Sequence, residues 1–224
     1  ACGFHAGDPA VMKRTIAIAK ENGVAIGAHP GFPDLVGFGR RNLDASLEEI
    51  KDYVTYQIGA LQAFVAAQGV KLQHVKPHGA LYTMAVKNTA IWDAVAEAIA
   101  AVDARLILFV LAGTERKNLE AIGARHGIRM AYEFFGDRAY NSDGSLVSRN
   151  KPGAVIHDSE VVAAKILKMV KEGRVECRDG SEIKLTADTI CVHGDNPSAL
   201  SLVQKIGETL KAAGVEIAPP ETFL

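Results

Sequence analysis

Short apolar runs alternate along the chain with longer segments in which apolar residues recur every three or four positions. The short runs are typical of buried strands, and the longer segments are typical of amphipathic helices. The predicted strands are 24–28, 72–76, 106–111, 129–133, 189–192 and 215–217. The predicted helices are 9–22, 46–68, 89–101, 115–126, 159–172 and 197–213. This alternation predicts an α/β protein with parallel strands and right-handed crossovers.

Capping residues and one interruption refine this pattern. Asp8 precedes a proline at the first helix, Ser46 and Glu49 have the spacing of a capping box, and Asn196 is the predicted cap of the last helix. Residues 174–187 break the alternation, because two short apolar segments flank a turn of Arg-Asp-Gly-Ser. We expect a β-hairpin inserted at the edge of the sheet. No linker-like stretch divides the chain, so residues 1–224 are expected to form a single domain.

Composition excludes several classes of protein. The chain has 224 residues, of which 48% are hydrophobic, and its net charge is −1. This length and composition suffice for a buried core, and the charge argues against a nucleic-acid binder. No stretch approaches the length of about 18 apolar residues that a membrane span needs. Three widely spaced cysteines, Cys2, Cys177 and Cys191, argue against a disulfide framework and favour a cytoplasmic protein.

The histidines carry the clearest chemical signal. His5, His29, His78 and His193 all lie in turns rich in glycine or proline, and the last three closely follow a predicted strand. In an α/β barrel the loops after the strands form the active site. We therefore predict that these four imidazoles meet in one site and are catalytic. Each of them alone also fits a structural, hydrogen-bonded histidine.

Charged residues occur at equivalent places. The candidates for acid–base catalysis and for binding an anionic substrate are Asp8, Arg41, Lys76, Glu133, Asp137, Arg138 and Asp195. Asp195 is assigned to catalysis, and the other six are assigned to substrate binding. Two alternatives stay open: Asp8 as a helix cap, and Arg41, with its neighbour Arg40, as a solvated charge. Cys2 is a further possible nucleophile, with a small buried residue as the alternative.

Several motifs are absent. The sequence has no G-x-x-x-x-G-K-[ST] loop for phosphates, no G-x-G-x-x-G dinucleotide fingerprint, no H-E-x-x-H and no G-x-S-x-G. Three histidines or carboxylates at one barrel mouth are able to hold Zn²⁺. Here such ligands would come from separate loops without a spacing motif, so the sequence by itself predicts no metal site.

Five segments together resemble the LamB/YcsF family of lactam-utilisation proteins. They read ACGFHAGDP at 1–9, GAHPGFPDLVGFGRR at 27–41, VKPHGALY at 75–82, EFFGDRAY at 133–140 and VHGDN at 192–196. The resemblance implies a seven-stranded β/α barrel of the polysaccharide-deacetylase type. Family members carry a further strand and an acidic D-x-N-x-D-x-G-E segment before the A-C-G-F-H turn. This sequence starts inside that turn, so we expect a barrel that lacks its N-terminal strand and has an open edge.

The resemblance also implies a function. The family acts as the A subunit of a prokaryotic 5-oxoprolinase, which opens 5-oxoproline to L-glutamate at the expense of ATP. Partner subunits B and C are expected to use the ATP and to activate the lactam. On this basis Lys76 and Arg138 would hold the substrate carboxylate or a transferred phosphate, His193 or Asp195 would be the general base, and the imidazoles of His5 and His78 would protonate the leaving nitrogen or stabilise the oxyanion.

Two other functions remain open from the residues. One is a metal-dependent amidase or deacetylase that works without ATP, because histidines and carboxylates are expected at one barrel mouth. The other is a non-catalytic subunit that binds a lactam in a histidine-lined pocket. Neither of these two functions involves a nucleic acid or a membrane.

Overall fold

The computed structural model describes residues 3–113 and 115–224. Within these ranges the chain forms two compact units. The first unit runs up to Val110 and also includes Lys117–Met130, and the second unit comprises Leu111–Arg116 and Ala131–Leu224. The single domain expected from the sequence stays a prediction, and the two units are described in turn.

The first unit contains parallel strands with helices between them. Its strands are β1 (Ile26–Ala28), β2 (Leu72–Val75) and β3 (Ile107–Leu111), of which the last residue belongs to the second unit. Its helices are α1 (Pro9–Glu21), α2 (Leu47–Ala67), α3 (Gly79–Lys87), α4 (Thr89–Asp103) and α5 (Arg116–His126), whose first residue belongs to the second unit. Strand β2 lies between β1 and β3, and both pairings are parallel. The carboxyl ends of β1 and β2 therefore lie side by side.

The long helix α2 supplies much of the core of this unit. Ser46 and Glu49 form the predicted capping box at its start. Its apolar stripe, which includes Ile50, Val54 and Leu61, is buried, and α2 packs against α4. The stripe of α2 has the period of a helix that faces the core on one side.

The second unit also pairs parallel strands. Its elements are β4 (Arg129–Phe135, from Ala131 onward), α6 (Ser159–Glu172), β5 (Arg174–Glu176), β6 (Glu182–Lys184), β7 (Thr189–Cys191), α7 (Ala199–Ala212) and a 3₁₀ turn at Pro220–Thr222. Strand β4 is parallel to β7, and the backbone N–H of Ala112 donates to the carbonyl of Glu133 at 2.9 Å. Strands β5 and β6 form an antiparallel hairpin. Helices α6 and α7 pack against each other.

The α/β class with parallel strands and the hairpin at 174–187 are confirmed. The described residues contain five parallel strands and seven α-helices, and the seven-stranded barrel stays a prediction. None of the helices in these residues is long and apolar enough to cross a bilayer.

Two predictions about elements were wrong, and one helix was missed. Residues 215–217 form no strand. Instead, the N–H of Val215 donates to the carbonyl of Leu210 in the last turn of α7. Helix α3 was missed, because it follows a histidine that makes no side-chain cap bond and its residues are apolar nearly all round. Asn196 does not cap α7: the helix begins later, and the Asn196 side chain accepts from the N–H of Ser198 at 3.0 Å.

A buried histidine in β2 makes stability depend on pH. His74 stacks on Phe109, with ring centroids 4.3 Å apart. Burial, followed by the charge of Lys76, lowers the pKa of His74 to about 4. Between pH 6.5 and 4 the unfolded chain therefore binds one more proton at this residue than the folded chain, and stability falls as the pH falls.

We predict that His74→Gln makes this loss shallower by up to about 1.4 kcal/mol per pH unit, the value for one proton. Urea unfolding of both proteins between about pH 6 and about pH 4.5 measures the two slopes. Identical slopes would show that His74 is not held neutral by the fold.

Candidate functional site

Three of the four predicted catalytic histidines come together in the first unit. His5 lies before α1, His29 follows β1, and His78 follows β2 and precedes α3. One nitrogen from each ring lies within 4.8 Å of the others. The His5 ring stacks on that of His78 with centroids 3.6 Å apart, and the His29 ring stands across His78 at 4.8 Å. We call these residues the three-histidine cluster.

Two backbone carbonyls determine which nitrogen is protonated in two rings of this cluster. His29 Nδ1 lies 2.6 Å from the carbonyl oxygen of Lys76, and His78 Nε2 lies 2.8 Å from that of Phe38. A carbonyl oxygen only accepts, so each of these ring nitrogens carries the proton. In a neutral ring the other nitrogen then presents a lone pair. Those two nitrogens, His29 Nε2 and His78 Nδ1, are 3.0 Å apart.

The third ring has a nitrogen that the described protein leaves unsatisfied. His5 is 5% exposed, and its Nδ1 is buried without a hydrogen-bond partner among the described residues. Burial, then the charges of His78 and Arg40, lowers the pKa of His5 to about 3. Burial, then the charge of Lys76, also lowers the pKa of His29 well below its usual value. These two rings are therefore neutral at about pH 7.

A glutamine that the sequence analysis missed holds the loop after β1. Gln57 of α2 is fully buried, and its amide accepts from the N–H of Gly31 at 3.0 Å and donates to the carbonyl of Gly31 at 2.9 Å. This pair of bonds fixes the turn that carries His29. The available signal was a polar residue on the buried stripe of α2, between Val54 and Leu61.

The loop at 34–41 closes over the cluster in a strained conformation. Phe38, whose carbonyl holds His78, has a positive φ of 54° that non-glycine residues rarely adopt. Gly79 has the same φ, and a Cβ there would lie 2.4 Å from the carbonyl oxygen of Gly39. Only glycine therefore allows this approach of the two backbones. An ion pair between Asp34 and Arg41 ties the loop, and this hydrogen bond lowers the pKa of Asp34 to about 2.

Three predicted substrate-binding residues lie in this unit. Lys76 is partly buried, and its positive charge acts on His29. Asp8 accepts from the N–H of Val11 at 2.8 Å and caps α1, as its alternative interpretation expected. The side chain of Arg41 is 66% exposed and bonded to Asp34. Roles for these three residues in binding a substrate stay predictions.

The second unit joins the fourth histidine to an acid. His193 follows β7 and Asp137 follows β4, so two neighbouring parallel strands present them. His193 Nδ1 lies 3.0 and 3.1 Å from the two carboxylate oxygens of Asp137, which is fully buried. Burial favours a raised pKa for Asp137, but the hydrogen bond and charge of His193 outweigh it and lower the pKa. The ionised Asp137 therefore orients His193 with its proton on Nδ1 and leaves Nε2 as an acceptor.

Other predicted residues of this unit have varied surroundings. Arg138 is buried and its guanidinium donates to the carbonyls of Ala154 and Val147, so it holds a loop. Burial, then the charge of Arg149, lowers the pKa of Arg138 to about 10. Glu133 is buried within β4, and Asp195 is exposed in the turn before α7. Their functional roles stay predictions.

One further lysine of this unit was missed from the sequence. The ammonium of Lys165 donates to the carbonyl of Arg138 and lies 5.0 Å from the Phe134 ring. Burial lowers the pKa of Lys165 to about 8. In the sequence Lys165 resembles any lysine on an amphipathic helix, so no signal distinguished it.

The structure thus brings His5, His29 and His78 together in one unit and His193 with Asp137 in the other. A single site made of all four histidines stays a prediction. Cys2 lies outside the described residues.

The close approach at Gly79 generates a stability prediction. We expect Gly79→Ala to destabilise the protein by more than about 1 kcal/mol, because alanine is strained at a positive φ and its Cβ meets a backbone oxygen. The matched control is Gly59→Ala in the interior of α2, where a Cβ meets nothing within 4 Å. This control should gain about 0.5–1 kcal/mol. Chemical denaturation measures both changes, and an equal gain in both variants would contradict the geometry at Gly79.

Comparisons with known proteins identify the family. The family model for the LamB/YcsF family matches residues 1–224. A relative from Alkaliphilus metalliredigens, named as the A subunit of 5-oxoprolinase, is 53% identical over the whole chain and 86% of its own length. A relative of the same name from Bacillus subtilis is 53% identical over 97% of this chain and 83% of its own.

A solved structure is similar as well. The lactam utilization protein from Thermus thermophilus is 47% identical and superposes with a TM-score of 0.88, over 96% of this chain and 85% of that one. The family match over the full chain and these relatives are sufficient for assignment: the chain belongs to the LamB/YcsF family.

Proposed function

We propose that this chain is the A subunit of an ATP-dependent 5-oxoprolinase, which hydrolyses the lactam of 5-oxoproline to give L-glutamate. The relatives that carry this subunit's name support the proposal. The word subunit in that name supports partners, which we propose to be subunits B and C, acting with this chain in the cytoplasm. The structural observation that carries it is the pair of His193 and a buried carboxylate beside a strand end.

The chemistry explains why ATP is needed. A five-membered lactam is a stable amide that water attacks poorly. Transfer of a phosphoryl group to the amide oxygen makes that oxygen a leaving group and the carbon more electrophilic. Water then adds to this carbon, the ring C–N bond breaks, and the nitrogen takes up a proton, which leaves an acyl phosphate. A second water hydrolyses this acyl phosphate and releases inorganic phosphate and L-glutamate. The absence of a phosphate-binding loop motif in this sequence is consistent with ATP being used by the partner subunits.

His193 is the proposed general base for the attacking water. Its Nδ1–H is held by Asp137, so its Nε2 is able to accept a proton from water. Asp137 then stabilises the imidazolium that forms, because its carboxylate stays ionised in a buried place. Asp137 therefore acts as a positioning residue instead of the substrate-binding residue that the sequence suggested. Asp195 remains a second candidate base in the same turn.

Lys76 is the proposed partner of the substrate carboxylate. It follows β2 directly and is partly buried next to His29, where its ammonium favours an anion. Arg138, which donates to backbone carbonyls, and Arg41, which binds Asp34, are kept as further proposed contacts of the substrate. The rings of His5 and His78 would polarise the lactam.

The three-histidine cluster also favours a second candidate function. Three imidazoles in one buried place are the ligand set of some metal hydrolases, which cleave amides without ATP. Under this alternative the isolated chain hydrolyses an amide substrate without partners. A chain that only binds a lactam is the third candidate.

The experiment is an assay of glutamate release from 5-oxoproline with purified chain, subunits B and C, and ATP, and with each component omitted in turn. We predict that release requires all of them. His193→Gln and Asp137→Asn should each lower the rate at least about a hundredfold, the usual contribution of general acid–base catalysis. His126→Gln is the matched control, because His126 ends α5 and is bonded to Asp93.

Different results separate the candidates. Release by the isolated chain without ATP would support the metal-dependent amidase. Binding of 5-oxoproline by a chain that is dispensable for turnover would support the binding subunit. Full activity of both His193→Gln and Asp137→Asn would remove this pair from the mechanism.

A further inference from the structure

We propose that the three-histidine cluster of His5, His29 and His78 is a binding site for one divalent transition-metal ion of the zinc class. The proposal concerns the chain by itself and does not depend on the proposed function. It starts from the way the three rings present their nitrogens inside the first unit.

The two nitrogens that face each other are both acceptors in neutral rings. His29 donates from Nδ1 to the Lys76 carbonyl, and His78 donates from Nε2 to the Phe38 carbonyl. Their other nitrogens are 3.0 Å apart, and two lone pairs at this distance repel each other. Either a second proton on one ring or a shared cation relieves this repulsion. A second proton is costly in a buried place beside Lys76, whereas a metal ion accepts both lone pairs at once.

The third ring supplies an independent observation. His5 Nδ1 is buried and lacks a hydrogen-bond partner among the described residues, on a side chain that is 5% exposed. A buried polar atom without a partner is unfavourable, so a structure keeps one where something binds it. The ring of His5 stacks directly on His78, which places this nitrogen at the cluster.

The outer contacts are those of metal-bound histidines. A ligating imidazole usually donates its other N–H to a carbonyl or carboxylate, which fixes the tautomer and the direction of the lone pair. His29 and His78 both have this bond, each to a backbone carbonyl. The loops are held independently of any metal, by Gln57 at Gly31 and by the contact of Gly79 with Gly39. The cluster is therefore preorganised.

The distances and ligand type select the metal. Zinc–nitrogen bonds of about 2.0–2.1 Å in tetrahedral geometry place two ligand nitrogens about 3.4 Å apart. The facing nitrogens of His29 and His78 are close to this spacing at 3.0 Å, and the ligand atoms of the three rings lie within 4.8 Å of one another. Three imidazoles favour Zn²⁺ or Co²⁺ over Mg²⁺ and Ca²⁺, which prefer oxygen ligands.

Charge determines what occupies the remaining coordination position. Three neutral imidazoles leave both positive charges of the ion uncompensated, and Lys76 and Arg40 add further positive charge nearby. An anion such as hydroxide or a carboxylate from solution therefore suits the remaining position. If the proposed function holds, an ion held by these rings would help to polarise the lactam, the role proposed above for His5 and His78. That consequence rests on the proposed function, and the binding site does not.

The test is titration of the purified chain of 224 residues, stripped of metal by dialysis against a chelator, with ZnCl₂ in a calorimeter. Elemental analysis after gel filtration gives the stoichiometry, and the visible spectrum of the Co²⁺-loaded protein reports the ligand geometry. We expect one ion per chain. Removal of one ligand should weaken binding at least about a hundredfold, since the binding energy of zinc sites is shared among three or four ligands. The variants are His5→Gln, His29→Gln and His78→Gln.

His74→Gln is the matched control, because His74 is a histidine of the same unit, within β2, that is not part of the cluster. It should bind zinc as the unaltered chain does. Circular dichroism shows which variants fold. If His29→Gln and His78→Gln do not fold, His5→Gln alone tests the proposal, because the His5 ring has no hydrogen bond at Nδ1 to lose. Zinc binding that is absent, or that is equal in His5→Gln and the unaltered chain, would overturn the proposal. No ATP, lactam or partner subunit enters this test, so its failure is distinct from failure of the proposed function.

Discussion

Two hydrogen bonds from imidazoles to backbone carbonyls determine which ring nitrogens of the three-histidine cluster carry protons. The carbonyl of Lys76 sets the proton of His29, and the carbonyl of Phe38 sets the proton of His78. Backbone oxygens accept and never donate, so they impose a tautomer that a hydroxyl partner, which both donates and accepts, would leave free. The result is two ring nitrogens that face each other with their lone pairs, and a third ring stacked against them. The chemistry available to this part of the molecule follows from that constraint.

The backbone around these carbonyls is strained. Phe38 adopts a positive φ, and the backbones of Gly39 and Gly79 approach too closely for a side chain at Gly79. Strained residues of this kind persist where surrounding structure over-determines them, often at functional sites. In the second unit a different device is used: a buried carboxylate, Asp137, orients His193. One unit thus presents neutral rings whose lone pairs face each other, and the other presents a histidine prepared to accept a proton.

Much of the fold and part of the site could be predicted from the sequence. Period and caps located most helices, and histidines in turns after apolar runs indicated strand-end chemistry. The helix α3 was hidden because its apolar residues lack a one-sided period, and Val215 looked like a strand although it ends a helix. The tautomers could not be predicted, because every residue has a backbone carbonyl. The sequence therefore does not show that the carbonyl at position 38 faces the ring of His78. The only sequence signal for Gln57 was its position as a polar residue on a buried stripe.

Nitrogen NMR of the metal-free chain, labelled with ¹⁵N at its histidines, measures the tautomers of His29 and His78, on which the chemistry of the first unit depends. One-bond and two-bond correlations between ring protons and nitrogens distinguish a protonated Nδ1 from a protonated Nε2. At about pH 7 we expect His29 to be protonated on Nδ1 alone and His78 on Nε2 alone. A spectrum in which either ring carries its proton on the opposite nitrogen, or exchanges freely between the two, would contradict it.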